Sequence, residues 1–280
     1  LSLETSTPQI TSDAFPPSSD RGARILIPSP KFPRSPADPP NHESSPKFSA
    51  SKEPVSMNDL LPAVRAFLSA QPSKMYVGGK WVEAKSGRTF ETLDPGNGTV
   101  LAQVAAGEAA EVDAAVSAAR DAFRHSGWAT MPANDRAVIL HRLADLITQH
   151  AEVLSQIESL DVGKPRGQAA GFDVPHSAQS FRYYADLSVH TRRREPIAVS
   201  GFDARTLRVP YGVCGFIFPW NFPFLLVGWG ISPALAAGNT VVIKPAEETP
   251  ATCMEIVRAF MDAGLPPGVL NLICGHPAEI

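Results

Sequence analysis

An asparagine fenced by prolines and aromatics, in Phe218-Pro219-Trp220-Asn221-Phe222-Pro223, is the first place in this sequence where residue type and spacing suggest chemistry. Pro219 and Pro223 fix φ and remove backbone donors, and each pushes the residue before it out of the α region. Asn221 therefore belongs on a rigid corner where a strand ends and a helix begins. A buried amide at such a corner loses about 1–3 kcal/mol unless it finds partners. Two readings stand: a cap satisfied by local backbone, or an amide aimed into a cleft. A second group follows at Lys244-Pro245-Ala246-Glu247, directly after the apolar Thr240-Val241-Val242-Ile243. A lysine at the mouth of a sheet can hold ribose hydroxyls or a phosphate, and an ionised glutamate is an acceptor-only group suited to a ribose diol. The competing reading is an ordinary exposed strand end.

The elements around these residues alternate. Val213 to Phe218, Thr240 to Lys244 and Val269 to Cys274 read as strands, with helices over Phe224 to Ala237 and Thr249 to Ala263 between them. Gly264 stands where a helix C′ glycine belongs, ahead of Pro266-Pro267. Apolar strands alternating with helices imply an α/β fold with a parallel sheet. Ligands bind beyond the carboxyl ends of such strands, which is where Asn221 and Lys244 fall. That coincidence favours the aimed amide.

Upstream, Met75 to Val82 reads as two short strands around Gly78-Gly79, and Phe90 to Leu93 and Val100 to Val104 as two more around Asp94-Pro95-Gly96-Asn97-Gly98. Helices are predicted over Asn58 to Ala70, Glu108 to Phe123, Asn134 to His150, Ala151 to Leu160 and Ala178 to Leu187. Gly163-Lys164-Pro165 is a turn, because it lacks the glycine spacing and the hydroxyl of a phosphate loop. Arg194 to Val209 reads as a hairpin around Gly201-Phe202-Asp203 that leans on another surface, since two strands alone are marginal in water. Residues 1–56 are crowded with proline and serine and are expected to be disordered.

Composition narrows the classes. The chain has 280 residues and a net charge of -3, with no basic stripe interleaved with aromatics, so nothing argues for nucleic acid. The uncharged run from Val209 to Ile243 is broken by Pro210, Pro219, Pro223 and Pro233, so no continuous spanning helix survives in it. A buried parallel sheet with a packed helix is the favoured reading, and no membrane partner is expected. Three separated cysteines form no disulfide framework, and no histidine pair has metal-ligand spacing. A reduced, cytoplasmic compartment is expected. The acids Glu4, Asp13, Asp20 and Asp38 among the early arginines argue against a transit peptide.

Taken together, Pro219-Trp220-Asn221-Phe222-Pro223, Pro233-Ala234-Leu235-Ala236-Ala237-Gly238-Asn239-Thr240, Lys244-Pro245-Ala246-Glu247 and Gly264-Leu265-Pro266-Pro267-Gly268-Val269 resemble the aldehyde dehydrogenase superfamily, from about Met75 to Ile280. The resemblance implies oxidation of a small-molecule aldehyde to a carboxylic acid through attack by a cysteine thiolate. It implies a Rossmann-like cofactor-binding fold, with residues 57–193 as its amino-terminal strands and helices and 210–280 as its core, cut short. It makes Asn221 the oxyanion-hole amide and places Ile217, Phe218, Pro219 and Trp220 along the cofactor groove. Lys244 and Glu247 would hold the adenosine ribose of NAD, rather than NADP, whose extra phosphate Glu247 would repel. Residues 194–209 would be an oligomerisation hairpin, giving a homodimer or homotetramer.

The family's nucleophile follows a Gly-Gln pair and its general base opens a Glu-Leu-Gly-Gly-Lys motif. Neither occurs here. Gly275-His276-Pro277 also carries a proline where family members commonly have a second glycine. None of Cys214, Cys253 and Cys274 is assigned as nucleophile. The expectation is therefore an amino-terminal portion of a dehydrogenase, inactive by itself. A short non-catalytic subunit that joins full-length partners is the alternative, and a reductase of acyl phosphates is a third reading that the Asn221 setting argues against.

Overall fold

The computed structural model describes residues 59–70 and 73–280, so the expectation for residues 1–56, and Asn58 with it, lies outside the described residues. The first described helix is α1 (Pro62–Ser69), followed by the hairpin β1 (Met75–Val77) and β2 (Lys80–Val82) and by the pair β3 (Thr89–Leu93) and β4 (Val100–Ala105). Next come the helices α2 (Ala109–His125), α3 (Ala133–Gln149) and α4 (Ala151–Val162). A short turn α5 (Arg166–Gln168) and a π-helical turn (Ala169–Asp173) lead into α6 (Val174–His190). The hairpin β5 (Arg194–Val199) and β6 (Phe202–Leu207) precedes the alternating part, which is β7 (Val213–Ile217), α7 (Pro223–Ala236), β8 (Thr240–Lys244), α8 (Ala251–Ala263) and β9 (Leu270–Leu272).

The expected parallel sheet is present and larger than expected. Its order is β2-β1-β9-β8-β7, with β7, β8 and β9 parallel and the amino-terminal hairpin added antiparallel through Tyr76 opposite Leu272. Asn271 fixes that junction. Its buried side chain accepts from the Gly78 amide at 2.9 Å and donates to the Gly268 carbonyl at 2.8 Å. β8 is buried along its whole length, as a strand covered on both faces must be. β7 ends the sheet among the described strands, and Gly215 and Ile217 on it are exposed.

Local chemistry sets the helix ends. At α2 the Glu108 amide donates to Glu111 Oε2 at 2.8 Å within a reciprocal capping box, which satisfies amides that the first turn leaves orphaned. α4 stops at Gly163 with φ of +78°, and a Cβ there would stand 2.7 Å from Pro95. α6 is longer than the expected Ala178 to Leu187 because Pro175 lies in its first turn, where a missing N–H costs little. α6 and α7 cross closely at Gly228, where a Cβ would come within 2.1 Å of Ser177 Oγ. The core between sheet and helices holds Trp128, Phe181, Phe224 and Phe260. Among the described residues, no helix is long and apolar enough to cross a membrane.

Candidate active site

The sheet brings the two motif groups together. β7 and β8 run in parallel register from Val213 opposite Thr240 to Ile217 opposite Lys244. One further bond, from the Phe218 amide to the Lys244 carbonyl at 2.9 Å, carries the pairing past the end of β7. The loops after the two strands therefore leave the sheet side by side, at its carboxyl edge.

On the first loop, Asn221 sits between β7 and α7 as expected. It is exposed rather than buried, and among the described residues its side chain makes no hydrogen bond. The α7 N-cap is Phe222, with no side-chain cap, and Pro223 opens the helix. The locally satisfied cap is thus not what this amide is. Ile217 is 82% exposed and Trp220 60%, and Pro219 is exposed as well. Phe218 differs from its neighbours: its ring is buried, stacked on Phe216 at 5.8 Å and packed against Gly230.

On the second loop, Lys244 and Glu247 meet. Lys244 Nζ lies 3.4 Å from Glu247 Oε2 and donates to the Pro245 carbonyl at 3.1 Å. Their side chains are 7% and 24% exposed, so the ammonium is held under cover while the carboxylate keeps one side open. Glu247 and Trp220 also face a common cavity of about 570 Å³, whose walls include Asp161, Thr249 and His276. A second cavity of about 560 Å³ lies at the root of the β5–β6 hairpin and is lined by Arg136, Arg193 and Arg208, together with Pro233, Ala236 and Ala237 but none of the residues of the two loops.

Beneath the first loop is a buried ionic cluster that sequence patterning missed. Lys164 Nζ donates to Glu158 Oε1 and to Asp173 Oδ2, each at 2.8 Å, and lies 4.4 Å from the centroid of the Phe222 ring. Both carboxylates are fully buried. Burial pushes the Glu158 carboxyl up in spite of the ammonium beside it. Asp161, one turn further along α4, accepts from the Thr252 amide at 3.0 Å and from Thr252 Oγ1 at 3.1 Å, and so caps α8 from a distance. Burial pushes it up to about 7. A signal was present in the sequence. Glu158 and Asp161 fall three apart on the stretch that carries Leu154, Ile157 and Leu160, where acids are unexpected on a core-facing stripe.

The three cysteines are unsuited to attack. All are free, with Cys253 and Cys274 buried and Cys214 half-buried. Burial pushes Cys214 up, Cys253 well up and Cys274 up to about 12, and the nucleophile is the thiolate, not the thiol. Among the described residues no cluster of side chains could hold a metal ion.

With this geometry in hand, comparison with known proteins is specific. A model of the aldehyde dehydrogenase family matches residues 81–280, and the chain belongs to that family. It is 44% identical over 206 residues to aldehyde dehydrogenase family 2 member B4, mitochondrial, of Arabidopsis thaliana, a match covering 74% of this chain and 38% of that protein. It is 43% identical over 208 residues to the mitochondrial benzaldehyde dehydrogenase of Antirrhinum majus, covering 74% and 39%. The NAD+ complex of an aldehyde dehydrogenase from Bacillus cereus superposes with a TM-score of 0.76 at 41% identity, over 79% of this chain and 45% of that one. The chain spans 38–45% of the length of these relatives, and it matches their amino-terminal part.

Proposed function

We propose that this chain forms the cofactor-holding, amino-terminal part of an NAD-dependent aldehyde dehydrogenase that oxidises an aldehyde to a carboxylic acid. The observation that carries the reading is the pairing of Ile217 with Lys244, which sets the exposed Asn221 amide and a lysine–glutamate pair at one sheet edge. Lys244 would donate to the adenosine ribose and Glu247 would accept from its hydroxyls, a donor set that fits a diol. Glu247 would repel a ribose phosphate, which favours NAD over NADP. The exposed Ile217, Pro219 and Trp220 side chains, with the Phe218 backbone, would line the groove. NAD supplies the hydride acceptor.

Asn221 would donate its amide to the aldehyde oxygen as that oxygen gains charge, and an amide that makes no hydrogen bond among the described residues is available for this role. The nucleophilic cysteine and general base would belong to the part of the family fold that this chain does not span, so the chain alone is expected to be inactive. Catalytic relatives over the matched stretch favour this reading over a non-catalytic subunit. The β5–β6 hairpin, with Phe202 77% exposed, would cover its apolar side chains in a homodimer or homotetramer. Three free cysteines fit a reducing compartment, the cytoplasm or the interior of an organelle.

A chimera tests the activity. The chain is joined at Ile280 to the remaining carboxy-terminal residues of the Bacillus cereus enzyme, and NADH formation is followed with a set of aldehydes. Aldehyde-dependent NADH from the chimera, with none from the 280-residue chain, is the expected result. A folded chimera that binds NAD yet turns over no aldehyde would sink the proposal.

A further inference from the structure

We infer that Lys164 is a positioning residue for the Asn221 loop, acting through the ring of Phe222. This rests on the reading of Asn221 as an oxyanion donor for its functional meaning, although the geometry stands without it. Asn221 makes no hydrogen bond among the described residues and its loop lies outside any regular element, so something else must fix where its amide points. Pro223 fixes the residue after Phe222, and Phe222 is half-buried where Trp220 on the other side of Asn221 is exposed. Its ring lies over the Lys164 ammonium at 4.4 Å, within the range where a cation is attracted to an aromatic face.

The ammonium itself is tethered on two sides. Two of its three donors go to Glu158 and Asp173, at 2.8 Å each, and its side chain is 8% exposed between two carboxylates at 0%. The backbone at Lys164 is held as well, because its carbonyl accepts from Ser159 Oγ at 2.7 Å. The acids come from α4 and from the π-helical turn ahead of α6, so the cluster fastens the loop to two elements at once. A buried ion pair adds little to stability compared with apolar packing, but it can fix one geometry. Among the described residues, one carboxylate oxygen on each of Glu158 and Asp173 makes no hydrogen bond, which is a poor arrangement if stability were its only purpose.

The test reads the loop directly in the 280-residue chain labelled with 15N at tryptophan and asparagine. Lys164→Met is expected to shift or broaden the Trp220 indole and Asn221 amide signals, while the Trp128 indole, bonded to the Asn239 carbonyl at 3.0 Å, stays in place. Lys164→Arg, which keeps the cation, is expected to restore them. Phe222→Leu, which leaves the buried ions intact, is expected to move the same two signals. If Lys164→Met disturbs all four indoles, Phe222→Leu decides alone. Unmoved Trp220 and Asn221 signals in Phe222→Leu, or Arg failing to restore them, would overturn the inference. A loop that moves in a chimera whose rate ignores Asn221→Ala would instead sink the oxyanion reading and leave the positioning intact.

Discussion

Lys244 Nζ and Glu247 Oε2 lie 3.4 Å apart at the carboxyl end of β8, the lysine almost covered and the glutamate open on one side. An ion pair of this kind contributes little to stability when one member reaches solvent. Its value is that both charges are already oriented. Lys244→Ala is expected to weaken NAD binding by roughly tenfold or more, as for loss of a charged hydrogen bond of about 1.5–3 kcal/mol. Glu247→Gln should weaken NAD less and narrow its advantage over NADP. Titration of Trp220 fluorescence with both cofactors checks each outcome, and equal affinities in the wild-type chain would remove the role given to Glu247.

Asn221 separates stability from catalysis cleanly. It is exposed and unbonded among the described residues, so Asn221→Ala should change folding stability by no more than about 0.5 kcal/mol. In the chimera the same change should lower the rate of aldehyde oxidation about a hundred- to thousandfold, the usual cost of one oxyanion donor. Urea unfolding and steady-state rates on the same preparations supply both numbers. A stability loss that accounts for the rate loss would return Asn221 to an ordinary structural role.

The positions of Asn221 and Lys244 were legible because proline pairs and apolar runs act locally. Pro219 and Pro223 dictate a corner wherever they occur, and Thr240 to Lys244 has one plausible state in any α/β fold. Three features were not legible, for reasons of distance. The β1–β2 hairpin joins the sheet through Asn271, whose partner Gly78 is 193 residues away. The exposure of β7 follows from its edge position, which no property of Val213 to Ile217 announces. Lys164 read as the middle of a turn, and Gly163 does end α4. That the lysine also meets Glu158, Asp173 and Phe222 depends on how α4 and α6 pack, and helical periodicity does not encode that.

The cysteines give a chemical check on the absence of a nucleophile in the chain. Cys253 and Cys274 are sealed in the core, and Cys214 is half-buried on the edge strand. With all three thiols pushed up by burial, reaction with a disulfide reagent near neutral pH should be slow. One thiol, that of Cys214, should react in the folded chain and three in urea. Cys214→Ser should abolish the native-state reaction. A fast-reacting thiol in the folded chain would mean that one of these cysteines is activated after all.

Asp161 makes the fold itself sensitive to pH. Its carboxylate caps α8 through Thr252 yet is pushed from 3.8 to about 7, chiefly by burial, with the neighbouring Glu158 charge acting in the same direction. A raised value in the folded state means that the folded chain keeps a proton which the unfolded chain has released. Stability therefore falls as pH rises between those two values, by up to about 1.4 kcal/mol per pH unit for one group. Glu158 is also pushed up by burial and adds a slope of the same sign. Asp161→Asn keeps an oxygen for the Thr252 amide and cannot ionise, so it should flatten the Asp161 part of the slope. It should leave the variant more stable than wild type at pH 8 and less distinct from it at pH 4. Urea midpoints measured from pH 4 to pH 8 check this, and parallel curves for the two proteins would show that Asp161 is ionised throughout.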